Sequence, residues 1–334
     1  MIVKWSMAAA LLLGVSACAP SAVDGVARAK PRSTGLFGMV TPDAVKVDRA
    51  SAFKGLDRVI VGSFIVGFGT LDTLSGKAGR GTSAARNTLV GVDDAVLRQI
   101  TDEAYASFNA SLRAAGYTVA DPAPLLTDAR FAATKSYPNP YVDGSGGIFG
   151  DTSVIRYLVP SSVPAMKIFQ GDIRGTLGGF ALDNPLPAAI GYAQTSGTKV
   201  LHVVYVLNFV NDAREGGLRL TNTMKVGQGV TAAADVTKVG VLADMGGFST
   251  GNGTISLGHP ITSDKAFATV ADVTSTGNLV GQAAVNVLGG LSGIGGGQSR
   301  SFDFTARPGD YAVAARDALQ QANAVMIGQM AALR

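Results

Sequence analysis

The sequence predicts an α/β (α+β) fold: a mixed sheet opened by a β-α-β unit, followed by an antiparallel meander and closed by a C-terminal amphipathic helix. Three observations predict it. The run from Arg58 to Phe68 (RVIVGSFIVGF) is almost continuously apolar, as expected of a strand covered on both faces. Val92, Val96, Ile100, Ala104, Phe108 and Leu112 recur every four residues, with Tyr105 and Ala115 widening the stripe, which marks an amphipathic helix. Residues 218 to 257 alternate apolar and polar side chains more regularly than any other stretch.

Taken in order, residues 18 to 56 hold Pro20, Pro31, Gly35 and Pro42 with no sustained period and read as a flexible tether; residues 57 to 334 read as one domain. The opening strand runs into a glycine-rich segment, 69 to 86, expected to be a loop. Asp93 and Asp94 start the helix, where negative charge suits the helix dipole, and Gly116 ends it. Tyr117 to Ala120 completes the β-α-β unit. The proline-rich middle, 122 to 198, offers short strands at Val154–Val159 and Ala165–Phe169 and a helix at Pro187–Gln194 stopped by Gly197. Val200 to Val210 is a second buried strand. In the alternating stretch, Gly246-Gly247 and Gly251-Asn252-Gly253 are the expected turns of the meander. A helix within Ala266–Leu291, a strand at Ser301–Thr305 and a helix over Tyr311–Leu333 finish the chain. The last helix places Ala315, Leu319, Ala322, Val325 or Met326, and Met330 on one face.

The first residues have the parts of a secretory signal: Lys4, the apolar run Met7–Val15, and small residues to Cys18. The apolar run is about half the ~20 residues a membrane-spanning helix needs. Val15-Ser16-Ala17-Cys18 resembles the bacterial lipobox, in which the cysteine becomes the acylated N-terminus; the consensus favours Leu where this chain has Val15. The resemblance implies cleavage after residue 17, lipidation of Cys18 and anchoring to a membrane. Ala19 stands where an aspartate tends to retain such proteins at the inner membrane, so the implied destination is the periplasmic face of the outer membrane. Cys18 is the only cysteine, which excludes an internal disulfide and a Cys-x-x-Cys site. Removing residues 1 to 17 deletes Lys4 and leaves 27 basic against 24 acidic residues, too small an excess for nucleic acid.

Catalytic motifs are sparse. His202 lies inside an apolar strand and is expected to be a hydrogen-bonded core residue; His259, before Pro260, is expected to be exposed, and neither has a nucleophile or ligand spacing beside it. Gly76 to Gly81 (GKAGRG) lacks the Gly-Lys-Ser/Thr of a phosphate loop, so no nucleotide is expected. Gly289 to Gly297 is too glycine-dense for a dinucleotide turn. Asp93-Asp94 and Asp102-Glu103 are adjacent pairs whose side chains diverge by about 100° on a helix, which does not suit a two-carboxylate active site. Asn109-Ala110-Ser111 falls mid-helix and is given no role. No cofactor, metal or catalytic residue is expected.

The order of lipidated cysteine, tether, buried strand (VIVGSFIVGF), glycine-rich loop and amphipathic helix (DEAYASFNASLRAAGYTVAD) resembles the periplasmic domains of the curli-secretion lipoprotein family and the wider group similar to the N-terminal domain of TolB. The resemblance covers residues 57 to 121 best; the proline-rich middle departs from it. It implies a non-enzymatic assembly or scaffold lipoprotein that binds envelope proteins or itself. Pore-forming members need membrane-crossing hairpins, for which residues 218 to 257 have the pattern, although a soluble sheet accounts for that pattern equally. An envelope hydrolase is the third reading and would depend on His202 or His259.

Overall fold

The computed structural model describes residues 19–31, 43–78, 81–144, 152–173, 184–213, 224–242, 252–278, 282 and 297–334. Its strands are β1 (Ser21–Val26), β2 (Val45–Asp48), β3 (Arg58–Ala78), β4 (Gly81–Val90), β5 (Thr118–Val119), β6 (Tyr141–Asp143), β7 (Thr152–Leu158), β8 (Lys199–Asp212), β9 (Lys225–Ala232), β10 (Lys238–Leu242), β11 (Gly253–Leu257), β12 (Ile261–Thr262), β13 (Ala268–Asp272) and β14 (Gly297–Ala306). The helices are α1 (Asp94–Ala114), α2 (Ala123–Leu126), α3 (Ala129–Ala132), α4 (Pro185–Ser196) and α5 (Pro308–Leu333). All strands join one mixed sheet, whose longest path is β13-β14-β4-β3-β8-β10-β11-β2. The fold is thus the mixed α/β class expected, with parallel and antiparallel pairs and a C-terminal helix.

β3 and β8 form the spine. Both are apolar on either side because both faces are covered. On one face lie α1 and α5, burying Leu97, Ile100, Phe108 and Leu112 of α1 and Ala315, Leu319, Ala322, Met326 and Met330 of α5. Phe64 sits at the centre of that layer, with ring centroids 5.2 Å from Tyr105, 5.7 Å from Phe108 and 5.6 Å from Tyr205. On the other face, α2, α3, α4 and Phe169 pack over Ile60 and Val200, while Met166, Ile168 and Ile173 join Ile65, Val204 and Val206. α1 is capped as its sequence suggests: the Asp93 carboxylate accepts from the Val96 amide at 3.0 Å. Gly116 takes φ +87°, and the Tyr117 amide returns to the Leu112 carbonyl at 3.0 Å. α4 likewise ends at Gly197, φ +64°.

Several expectations are corrected. The described residues of the glycine-rich segment 69–86 are not a loop; 69–78 are the far half of β3 and 81–86 most of β4, paired from Leu71↔Thr88 to Ala78↔Gly81, while 79–80 lie outside the described residues. Glycine and small residues do not mark a strand by pattern, yet a ladder needs only their backbone groups. The β-α-β unit therefore holds a hairpin between its first strand and α1, and β5 then pairs parallel to β3 at Arg58↔Thr118. The alternating stretch is not a simple meander. β10 and β11 pair antiparallel, but β9 and β10 lie end to end along one edge of β8, β9 on Leu207–Asp212 and β10 on Val200–Val204. Their side chains are nearly all buried, as interior strands require. The Gly246-Gly247 turn and Gly251 lie outside the described residues. Ala165–Phe169 forms one isolated bridge, Tyr137↔Met166, and no strand. Of the helix expected within Ala266–Leu291, Ala268–Asp272 is instead strand β13, residues 276–278 and 282 are helical, and residues 279–281 and 283–291 lie outside the described residues.

The tether expected over residues 18–56 is corrected in its described residues, 19–31 and 43–56; the others lie outside them. β1 pairs parallel with β9 (Ser21↔Lys225, Ala22↔Val226), and β2 forms the sheet edge against β11. Phe53, in the 3-10 turn Ala50–Phe53, is fully buried. Asn211 fixes the chain after β1: its Nδ2 donates to the Ala27 carbonyl at 2.9 Å and to Thr231 Oγ1 at 2.9 Å. Thr231 Oγ1 lies 2.8 Å from Thr262 Oγ1, which accepts from the Ala29 amide at 3.1 Å. Gln228 supplies a side chain where a strand pair would be. Its Oε1 accepts from the Phe267 and Ala268 amides at 2.7 and 2.8 Å, and its Nε2 donates to the Ala268 carbonyl at 2.8 Å, tying β9 to β13. Gln228→Ala leaves two backbone donors and one acceptor of that strand start without partners. Urea unfolding should show a loss of about 2–4 kcal/mol.

Candidate functional site

Two buried polar groups stand out against the apolar sheet, one at each end of the spine. The first surrounds His202. Nδ1 of His202 is 2.8 Å from Oδ1 of Asp172, whose side chain is fully buried. The Asp172 carboxylate also lies 3.6 Å from Lys238 Nζ, and its Oδ2 accepts from the Phe169 amide at 3.3 Å. The imidazole stacks on Phe169, centroids 5.2 Å apart at 28°. Its Nε2 edge lies over Gly240, its neighbour on β10: a methyl group there would stand 1.8 Å from Nε2. Ser63, the β3 neighbour of His202, donates from Oγ to the Lys167 carbonyl at 2.8 Å. Serine and imidazole are therefore adjacent, but each is turned to a different structural partner. The arrangement pins the 166–173 segment across the sheet.

Lys167 is held the same way. Its Nζ donates to the Ala132 and Thr134 carbonyls at 3.0 and 2.5 Å and to Ser136 Oγ at 3.1 Å, and burial holds its pKa below the usual lysine value.

The second group marks where the sheet branches. β3 pairs with β7 and β8 together at Val66–Phe68, so these occupy opposite edges. At Leu71–Thr73 it pairs with β7 and β4, so β4 has taken the edge that β8 left. Asn208, at a β8 irregularity, covers the parting: Nδ2 donates to Asp72 Oδ2 at 2.9 Å and to the Val210 carbonyl at 3.1 Å, and Oδ1 accepts from the Phe209 amide at 2.8 Å. Asn87 Nδ2 donates to the Asp72 and Ala85 carbonyls at 3.2 and 3.1 Å. Oδ1 of Asp72 and Oδ1 of Asn87 are buried with no protein partner among the described residues. Burial pushes the Asp72 carboxyl up to about 6, against the Asn208 and Thr73 hydrogen bonds that favour its ionised form.

The residues singled out from the sequence are not brought together. Cys18 lies outside the described residues. His202 is buried, as expected, whereas His259 is half-buried, not exposed, in the bend between β11 and β12. The helix carboxylates diverge: Asp93 caps α1, Asp94 pairs with Arg156 of β7, Asp102 accepts from the Ser161 amide and hydroxyl at 2.6 and 2.8 Å, and Glu103 pairs with Arg316 of α5. Among the described residues, no group of three or more His, Cys, Asp or Glu side chains is placed to hold a metal ion. Asp72, Asn87, Asp172 and Asn208 were missed. Asn208 had a legible signal, being a polar interruption of an otherwise apolar run; Asp72 was hidden inside the segment read as a loop, and Asn87 lay just past its end. Compared with known protein families, curated proteins and solved structures, the chain matches none.

Two expected outcomes follow from this geometry. Gly240→Ala should cost about 3 kcal/mol by driving the imidazole from its place. Adding His202→Ala should recover part of that loss, which a double-mutant cycle in urea measures. At Asp72, the folded state holds the proton more tightly than the unfolded chain, whose value is 3.8. Stability should therefore fall as pH rises from about 4 to about 6, by an amount on the order of 3 kcal/mol, and Asp72→Asn should flatten that slope.

Proposed function

We propose that the chain is a lipoprotein of the bacterial cell envelope, anchored through acyl groups on Cys18 at the periplasmic face of the outer membrane. In this reading its domain acts as a non-enzymatic scaffold or assembly protein that binds envelope partners or its own copies. The observation that carries it is the lipobox-like string Val15-Ser16-Ala17-Cys18 behind a short apolar run, followed at once by a chain that enters the sheet. Acyl chains contribute about 0.8 kcal/mol per buried methylene, so two or three anchor a domain without a spanning helix. Among the described residues, no helix is long and apolar enough to cross a membrane. The polar side chains that chemistry would need also favour a scaffold. His202, Ser63 and Lys167 each meet a backbone or carboxylate partner that holds the fold.

Intact-mass measurement on protein matured in an envelope-exporting bacterium tests the anchor. The expected mass is that of residues 18–334 plus two or three acyl chains. Cys18→Ala should remove the acyl mass and release the protein from the membrane fraction. A wild-type mass without acyl groups overturns the reading.

A further inference from the structure

We infer that the domain is held with one particular end against the bilayer, the end at which β8 finishes and the β3–β4 hairpin projects. This rests on the lipoprotein reading, and it adds the orientation and the surface that meets lipid.

The connection between Cys18 and the sheet is too short to let the domain turn freely. Pro20 is buried, and the Ser21 amide donates to the Met224 carbonyl at 2.8 Å. Three residues reach at most about 10 Å, so an acylated Cys18 would keep the start of β1 at the membrane surface. Strand direction then fixes which end that is. β1 runs parallel to β9, with Ser21 level with Lys225. β9 runs antiparallel to β8, with Val226 opposite Asp212, the last residue of β8. β3 runs parallel to β8 and continues beyond its last β8 partner, Phe68, to Ala78. The start of β1, the end of β8 and the last pair of β3 and β4, Ala78↔Gly81, therefore share one end. Thr152 of β7 and Gly297 of β14 lie there too, through their pairs with Thr73 and Thr82.

The two ends differ in chemistry. Residues 73–76, 82–85, 152–155 and 297–299, on the strands of the anchored end, carry no charge, and Asp212 at the end of β8 and Lys225 at the start of β9 are one acid and one base. Uncharged strand tips lose little when brought near lipid. The opposite end carries Lys54, Asp57, Arg58, Arg113, Lys199 and Arg334, with Arg334 bonded to Asp57 and to the Gly116 carbonyl.

The test uses full-length, acylated protein in vesicles of phosphatidylethanolamine and phosphatidylglycerol that carry a lipid-borne spin-label quencher. Cys18 sulfur is blocked as a thioether, so a thiol fluorophore labels only an introduced cysteine. Ser75→Cys reports the anchored end and Lys54→Cys the far end; both positions are exposed. Several-fold stronger quenching at residue 75 is expected. An insertion of about ten Gly/Ser residues between Ala19 and Pro20 should erase that difference by lengthening the leash. Equal or reversed quenching in protein of verified acyl mass overturns the orientation, and a difference that survives the insertion overturns the role of the short connection. Absence of the acyl mass overturns the lipoprotein reading itself.

Discussion

The structure depends on one strand serving two branches of the same sheet. β3 is 21 residues long and gives the same edge first to β8 and then to β4. Where two strands part, backbone donors and acceptors lose their ladder partners, and a buried group left bare costs about 1–3 kcal/mol. Asn208 and Asn87 meet this cost with side-chain amides that bond neighbouring backbone groups. The parting sends β4 and β14 one way and β9 the other, and Gln228 rejoins the two branches at β13. The aromatic layer under α1 and α5 packs against the undivided half of the spine. A tyrosine there shows how close the fit is. The Tyr205 hydroxyl donates to Asn323 Oδ1 at 3.1 Å, and Asn323 Nδ2 donates to Ser111 Oγ at 3.2 Å, linking β8, α5 and α1.

What the sequence revealed follows from how information is stored in it. The spine strands, α1, α4 and α5 were legible because burial on a regular period writes itself into side-chain hydrophobicity. Their ends were legible because Asp93, Gly116 and Gly197 meet specific backbone needs. The β3–β4 hairpin was not legible: its pairing is carried by peptide groups, and Thr, Ser, Gly and Ala at its tip look like a loop. β1 was not legible either. Its partners, Lys225 to Gln228, lie some two hundred positions away, and no local period can announce them. Pairing of β9 and β10 with β8, instead of with each other, is a choice of topology that alternation leaves open.

The same distinction governs the candidate site. Single residues with rare chemistry, such as His202 and Cys18, are conspicuous in a sequence, but their roles depend on neighbours that sequence does not reveal. Asp172 arrives beside His202 from a segment with no regular structure. Gly240 leaves the space that the imidazole fills. Together they give the buried imidazole a fixed place in the fold.

The placement of β1 also bears on the order of events as the chain is made. Residues 21 to 29 emerge first, yet their partners, Lys225 to Gln228, Asn211 and Thr262, emerge far later. Closing so long a loop is slow and waits for the rest of the sheet. Until then the segment has no strand to join. Once β9 is in place the segment is drawn into the sheet. The topology thus sets an order: the first strand of the chain is among the last to find its place.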